Sequence, residues 1–329
     1  MVTPPSENSA RPTAVAAASA PTLRDFAALL RPHQWVKNVV VFAGPAAALK
    51  LLIPEAFAAT VIAFISFCLA ASAVYSINDA IDREADAIHP TKRHRPIARG
   101  AIAPITAVIL AACLFLLAIA LPSLFVNLKV TTIVVLYIGL MLAYSLALKR
   151  RVIMDVIVLA SGFVLRAWAG AAAVDVVASE WLIACVFTIC LFFGFGKRRC
   201  EIAMIGNVES AGHHRQTLLR YTPQLLSHLI TVSAAIAVMT FLLYTMETSG
   251  TPSTFHKEYL FYTLPIVIYA VFRYAMLTES GAATGPTEIL LKDPMMIASV
   301  IAWMAVALAI AYHDPLVRWL GFSRWVWGP

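Results

Sequence analysis

The chain has 329 residues, 60% of them hydrophobic and only 13% charged, with a mean hydropathy of +0.80. That composition excludes a soluble domain of this size, and several apolar runs reach the ~20 residues a helix needs to cross a bilayer. The net charge of +7 therefore reads as membrane topology rather than as a nucleic-acid footprint, and no nucleic-acid partner is expected.

In chain order, residues 1–22 are rich in Ala, Pro and Ser and lack a basic segment followed by an apolar core. They read as a disordered tail, not a cleaved signal peptide. Residues 23–329 read as one membrane domain. Nine apolar segments follow, at 36–53, 56–78, 104–122, 126–147, 152–174, 181–196, 224–246, 259–278 and 294–312. They predict an all-α membrane protein with nine transmembrane helices. Pro45 interrupts the first segment and predicts a kinked or partly re-entrant element. Trp35, Trp181, Trp319, Trp325 and Trp327 stand at segment ends, as in an aromatic belt. Cys68, Cys113, Cys185, Cys190 and Cys200 show neither metal-ligand spacing nor a disulfide framework.

The first segment opens with RPHQWVKN, residues 31–38. Arg31 reads as an ordinary positive-inside anchor. Gln34, Lys37 and Asn38 fall three and four apart at a helix start, so a polar face turns away from lipid. The second segment ends in SINDAIDREADAIHPTKRHRPIAR, residues 76–99. On a continuous helix Asp79, Asp82 and Asp86 share a face, with Asn78 beside them. Three carboxylates and an amide oxygen form the hard-oxygen set that Mg²⁺ prefers. Lys92, Arg93, Arg95 and Arg99 follow, and such residues bind phosphate. The plain alternative is a solvated loop with a helix-end pair such as Asp79 with Arg83. Arg83 and Glu84 lie off the acidic face and read as surface.

The fourth segment ends in Tyr144 and then Lys149, Arg150 and Arg151. Cations here cap a helix C-terminus; a Tyr hydroxyl and a Lys ammonium also suit a phosphate. Arg166 lies inside the fifth segment, where a charge faces a cavity or a partner. Asp155 stands three turns earlier on the same face. The sixth segment ends in GFGKRRCE. Gly194 and Gly196 are expected to loosen the helix end, and Lys197, Arg198 and Glu201 to share a face beyond it. His213 and His214 read as loop residues. No Gly-rich phosphate loop, nucleophile elbow or zinc spacing is present. The chemistry then rests on Mg²⁺ and basic residues.

With the N-terminus inside, nineteen Lys and Arg fall on inner segments and five on outer ones, Arg166 being within a helix. This bias places the N-terminus in the cytoplasm, the C-terminus outside and every chemically interesting loop on the cytoplasmic face.

The Asn-Asp-x-x-Asp-x-x-x-Asp pattern at Asn78, Asp79, Asp82 and Asp86, after the second of nine helices, resembles the UbiA superfamily of intramembrane prenyltransferases. The resemblance runs over residues 23–312. RPHQWVKN at 31–38, SAVYSINDAIDREADAIHPTKRHRPIA at 72–98, GKRRCE at 196–201, FRYAM at 272–276 and LLKD at 290–293 are similar to a narrower branch, the decaprenyl-phosphate phosphoribosyltransferase family. The resemblance implies transfer of a ribose 5-phosphate unit from phosphoribosyl pyrophosphate to a polyprenyl phosphate, at the plasma membrane, on a route to cell-wall donors.

It also implies Mg²⁺ on Asn78, Asp79, Asp82 and Asp86, with Asp79, Asp82 and Asp86 catalytic. Lys92, Arg93 and Arg95 are then expected on donor phosphates, with Lys197 and Arg198 in support and Glu201 as the one acid nearby. Gln34, Lys37, Asn38, Tyr144 and Lys149 are expected on either phosphate, and Arg166 at the cavity wall. Typical members carry a second Asp-rich motif after the sixth helix; here that region is basic. The exchange suits a site holding more anionic charge. The alternatives are a prenyltransferase acting on an aromatic or other small acceptor, a non-catalytic lipid-binding or transport protein, and a transferase with a different lipid or sugar. Self-association is left open.

Overall fold

The computed structural model describes residues 21–205, 220–247, 257–280, 289 and 292–312. Nearly all of the tail, His213, His214 and the three C-terminal tryptophans lie outside these residues. The described elements are helical throughout. They are α1 Leu23–Leu30, a 3-10 segment Pro32–Phe42, α2 Ala43–Ala47, α3 Pro54–Ile81, α4 Arg83–Ala87, α5 Pro104–Phe125, α6 Leu128–Leu146, α7 Met154–Ala173, α8 Glu180–Ile205, α9 Pro223–Met246, α10 Leu264–Glu279 and α11 Pro294–Ala311. Proline occupies the first turn of α3, α5, α9, α10 and α11, where the amide it lacks is not needed. Among the described residues eight helices are long and apolar enough to cross a membrane.

The first apolar segment is not one α-helix. Residues 32–42 form eleven residues of 3-10 helix and only then a short α2. At three residues per turn this segment divides into straight stripes. Trp35, Asn38 and Val41 turn inward: the Trp35 indole donates to Ser72, Asn38 donates to Cys68, and Val41 packs at the Gly170 backbone. His33, Val36 and Val39 are exposed. Arg31, Gln34 and Lys37 form the third, half-buried stripe. The sequence reading joined Gln34, Lys37 and Asn38 on one α-helical face; the tighter winding separates Asn38 from the other two.

Two large apolar cores and three smaller clusters result among the described residues. One joins Val41 to α3, α5, α6 and α7 around Phe67, Tyr137 and Met141. The other joins α7 to α8, α9, α10 and α11 around Val156, Phe192, Leu226 and Tyr274. The glycines of α8 do not loosen it, since the helix runs unbroken to Ile205. Gly196 instead lets Tyr274 approach: a Cβ there would stand 2.5 Å from its hydroxyl.

Candidate active site

α3 stops at Ile81, with Asp82 as its C-cap, and the chain restarts as α4 at Arg83. Asp79 and Asp86 lie on either side of this break and still come together. Arg95 donates to Asp79 at 3.1 Å and to Asp86 at 2.5 Å, so these two carboxylates meet at one guanidinium. Asp82 turns elsewhere: its two oxygens accept from Lys149, each at 2.9 Å. The expectation of three carboxylates on one helical face is corrected accordingly. Among the described residues no group of three or more His, Cys, Asp or Glu is gathered for a metal.

Every motif carboxylate contacts a cation. Arg31 donates to both oxygens of Asp79, at 2.6 and 2.9 Å. Lys92 stands 4.0 Å from Asp86. Arg31 caps α1 in the left-handed conformation, φ +53°, which costs a non-glycine residue about 1–2 kcal/mol. That turn redirects the chain into the 3-10 segment and lays the guanidinium 4.9 Å above the Tyr75 ring. Arg31 thus touches the motif directly, a contact that the anchor reading did not anticipate; no local pattern announces a left-handed cap on arginine.

α1 is fastened beside the motif by its own ion pair. The Asp25 carboxylate accepts from the Thr22 amide and hydroxyl and from Arg99. The Thr22 hydrogen bonds, with help from Arg99, hold its carboxyl below the usual range.

On α8 Arg198 is buried between two acids. It donates to Glu201 at 2.6 Å, and its Nε lies 2.9 Å from Asp155 Oδ2, an ion pair off the hydrogen-bond line. Tyr221 donates to the other Asp155 oxygen at 2.8 Å and accepts from the Ile153 amide at 2.6 Å. Burial, and then the bond to Asp155, push the Tyr221 hydroxyl well above its ordinary pKa, so it stays a donor. Asp155 and Tyr221 complete this triad, and neither was picked out as a site residue from sequence. Glu201 also lies 3.8 Å from the more exposed Lys197. Glu201 is committed to two cations, as the sequence spacing of these three residues suggested.

Arg166 does not pair with Asp155. Deep in the bundle it donates to Asn38 at 2.6 Å, to the Gly162 carbonyl at 2.8 Å and to the Tyr137 hydroxyl at 2.8 Å. The Tyr137, Phe163 and Phe67 rings surround it. These bonds make it a buried brace between the 3-10 segment, α6 and α7. Tyr144 is half-buried near the end of α6, within electrostatic range of Arg198. Arg93 lies exposed on the turn after α4. Lys37 has no carboxylate partner among the described residues, and the charges bearing on it are Lys197, Arg166 and Arg31, all positive.

The donor set fits a small hard cation. Asn78 Oδ1 is buried without a hydrogen-bond partner, and an orphaned oxygen normally has an ion or water to satisfy it. Mg²⁺ needs only one or two carboxylates, taking its other positions from water and substrate phosphate.

The model of the UbiA prenyltransferase family matches residues 39–300. The chain belongs to this family. It is 34% identical over 290 residues to the decaprenyl-phosphate phosphoribosyltransferase of Corynebacterium glutamicum, covering 87% of this chain and 86% of that one. It is 35% identical over 296 residues to the enzyme of that name from Mycolicibacterium smegmatis, covering 87% and 92%. The UbiA homologue of Archaeoglobus fulgidus, solved with GPP and Mg²⁺, superimposes with a TM-score of 0.67 at 19% identity, over 87% of this chain and 99% of that one. The chain is thus a multi-pass membrane transferase of UbiA type.

Proposed function

We propose that this UbiA-family enzyme transfers 5-phosphoribose from phosphoribosyl pyrophosphate to a polyprenyl phosphate of decaprenyl type, with release of pyrophosphate. The observation that carries the reading is the charge of the site. Arg31, Lys92, Arg95 and Lys149 converge on the motif, while the region where a prenyltransferase keeps its second acidic motif is Lys197, Arg198 and a Glu201 already committed to both. Four phosphoryl groups from two substrates match such a surplus of cations better than the two of one prenyl diphosphate do. The activity for which the two bacterial relatives are named supports the same substrates.

In this reading Asn78, Asp79, Asp82 and Asp86 would hold Mg²⁺, which would supply charge neutralisation on the leaving pyrophosphate. Arg31, Arg95 and Lys149 then turn from the carboxylates to the donor phosphates, aided by Lys92 and Arg93. An oxygen of the lipid phosphate forms a bond to ribose C1 as the C1–pyrophosphate bond breaks, and the pyrophosphate leaves with the electron pair. The ribosyl carbon passes through an oxocarbenium-like state. A phosphomonoester has its second pKa near ~6 and is largely dianionic at neutral pH. No general base is required, and the protein's work is positioning and charge stabilisation.

The Pro32–Ala47 element completes nine crossings in this reading, since eleven 3-10 and five α residues span ~30 Å. The N-terminus and the site then face the cytoplasm at the plasma membrane, with the C-terminus outside. Asp79→Ala and Asp82→Ala should each abolish transfer while the protein still inserts and elutes as a folded species. Retained activity in both would refute the assignment.

A further inference from the structure

Ile153 stands between α6 and α7 in a conformation that a branched side chain resists. Among the described residues four other than glycine have a positive φ, and of these Ile153 alone is β-branched. At φ +67° and ψ −48° it makes a three-residue turn, closed by the Met154 amide on the Val152 carbonyl at 2.8 Å. This is the rare, strained form of the γ-turn. It persists only where surrounding contacts impose it.

Tyr221 supplies such a contact. Its hydroxyl accepts from the Ile153 amide at 2.6 Å and donates to Asp155 at 2.8 Å, so one atom grips both the turn and the first residues of α7. The Tyr221 ring is buried in the core with Leu226 and Tyr274, and Asp155 is held from α8 by Arg198. On the far side of the turn the chain has little slack. Lys149 lies four positions before Ile153, on the single 3-10 turn Leu148–Arg150. The Arg151 amide donates to the Leu148 carbonyl and the Asp155 amide to the Arg151 carbonyl, each at 3.0 Å, and these bonds stiffen the interval. From there the Lys149 ammonium reaches both oxygens of Asp82 at 2.9 Å.

We infer that Tyr221 is a positioning residue for transfer: by holding Ile153 in its strained turn, it sets the α6–α7 connection so that Lys149 meets Asp82 of the motif. The inference rests on the proposed role of Lys149 at the phosphates. A tyrosine suits the task because one hydroxyl accepts from an amide and donates to a carboxylate at once. Phenylalanine would fill the same space and do neither. Without the hydroxyl the turn relaxes towards ordinary backbone angles, and the short interval carries Lys149 away from Asp82.

The test is a set of variants of the full chain in nanodiscs, with transfer measured per folded protein. Tyr221→Phe should slow transfer about tenfold, the cost of a misplaced group, and Lys149→Gln about a hundredfold. The double variant should be no slower than Lys149→Gln alone, because Tyr221 acts through that lysine. A role confined to stability would instead multiply the two losses. Ile153→Gly accepts φ +67° without strain, so adding it to Tyr221→Phe should restore transfer to within about threefold of wild type. That rescue locates the effect at the turn rather than at Arg198. Hydrogen exchange of residues 149–154 needs no substrate and should quicken about tenfold in Tyr221→Phe. Multiplying losses, failure of Ile153→Gly to rescue, or unchanged exchange would each overturn the inference. Transfer of a prenyl group in place of phosphoribose would reject the proposed substrates, and the same variants read on that reaction would still decide the role of Tyr221.

Discussion

Arg31 shows what one residue's placement decides. From sequence it is a cation before a membrane segment and reads as an anchor; in the structure its left-handed turn aims it at Asp79 with two hydrogen bonds. Arg31→Gln is expected to reduce transfer about a hundredfold or more, the cost of losing a donor aimed at developing charge, without loss of membrane insertion. An unchanged rate would return it to the role of anchor. Asp155 is the complementary case, a buried acid that holds Arg198 and Tyr221. Asp155→Asn leaves Arg198 with Glu201 alone and should cost about 3–5 kcal/mol of stability, read as a lower melting temperature. The identities of Asp79, Asp82, Asp86, Lys92, Arg95 and Lys149 were legible because charge beside a membrane segment is conspicuous. Their pairings were not, because Lys149 reaches Asp82 across 67 positions and no local pattern encodes that.

At the scale of elements, hydropathy located most of the long helices to within a few residues, because lipid enforces apolar length, but it ended α8 at 196 where the helix runs on through charged residues to Ile205. It gave the wrong geometry where the winding changes. The 3-10 segment has the composition of a helix, and only tertiary contacts reveal its tighter turn. Gly170 is one of those contacts: a Cβ there would collide with the Val41 carbonyl oxygen, whereas one at Gly139 would meet open space. Gly170→Ala should therefore displace the 3-10 segment, with a cost of about 1–3 kcal/mol from overpacking and loss of transfer, as its polar stripe moves away from Asp79. Gly139→Ala should change neither the melting temperature nor the rate. Equal behaviour of the two variants would contradict the role given to this packing. The break after Ile81 was likewise invisible, because Asp82 and Asp86 also fit a continuous helix.

Among the described residues the ion pairs gather at the two ends of an apolar bundle, with Arg166 the charge buried between them. One end carries the motif and its cations, the Asp155–Arg198–Tyr221 cluster, and a pair joining Arg273 to Asp293 at 2.8 Å. The other is tied by Lys50 to the Val174 carbonyl at 2.9 Å and by Lys257 to Glu247 at 3.4 Å. Segregation of this kind is what a bilayer imposes, and the uneven distribution of Lys and Arg anticipated it. The proposed substrates rest on the site alone, where the surplus of cations over acids favours a phosphoribosyl donor over a prenyl diphosphate. The most direct measurement supplies purified protein in nanodiscs with decaprenyl phosphate and phosphoribosyl pyrophosphate labelled in its ribose. Label should enter the lipid phase with Mg²⁺ and stop doing so when the metal is chelated. Absence of lipid label, together with turnover of a prenyl diphosphate and an aromatic acid, would contradict the account.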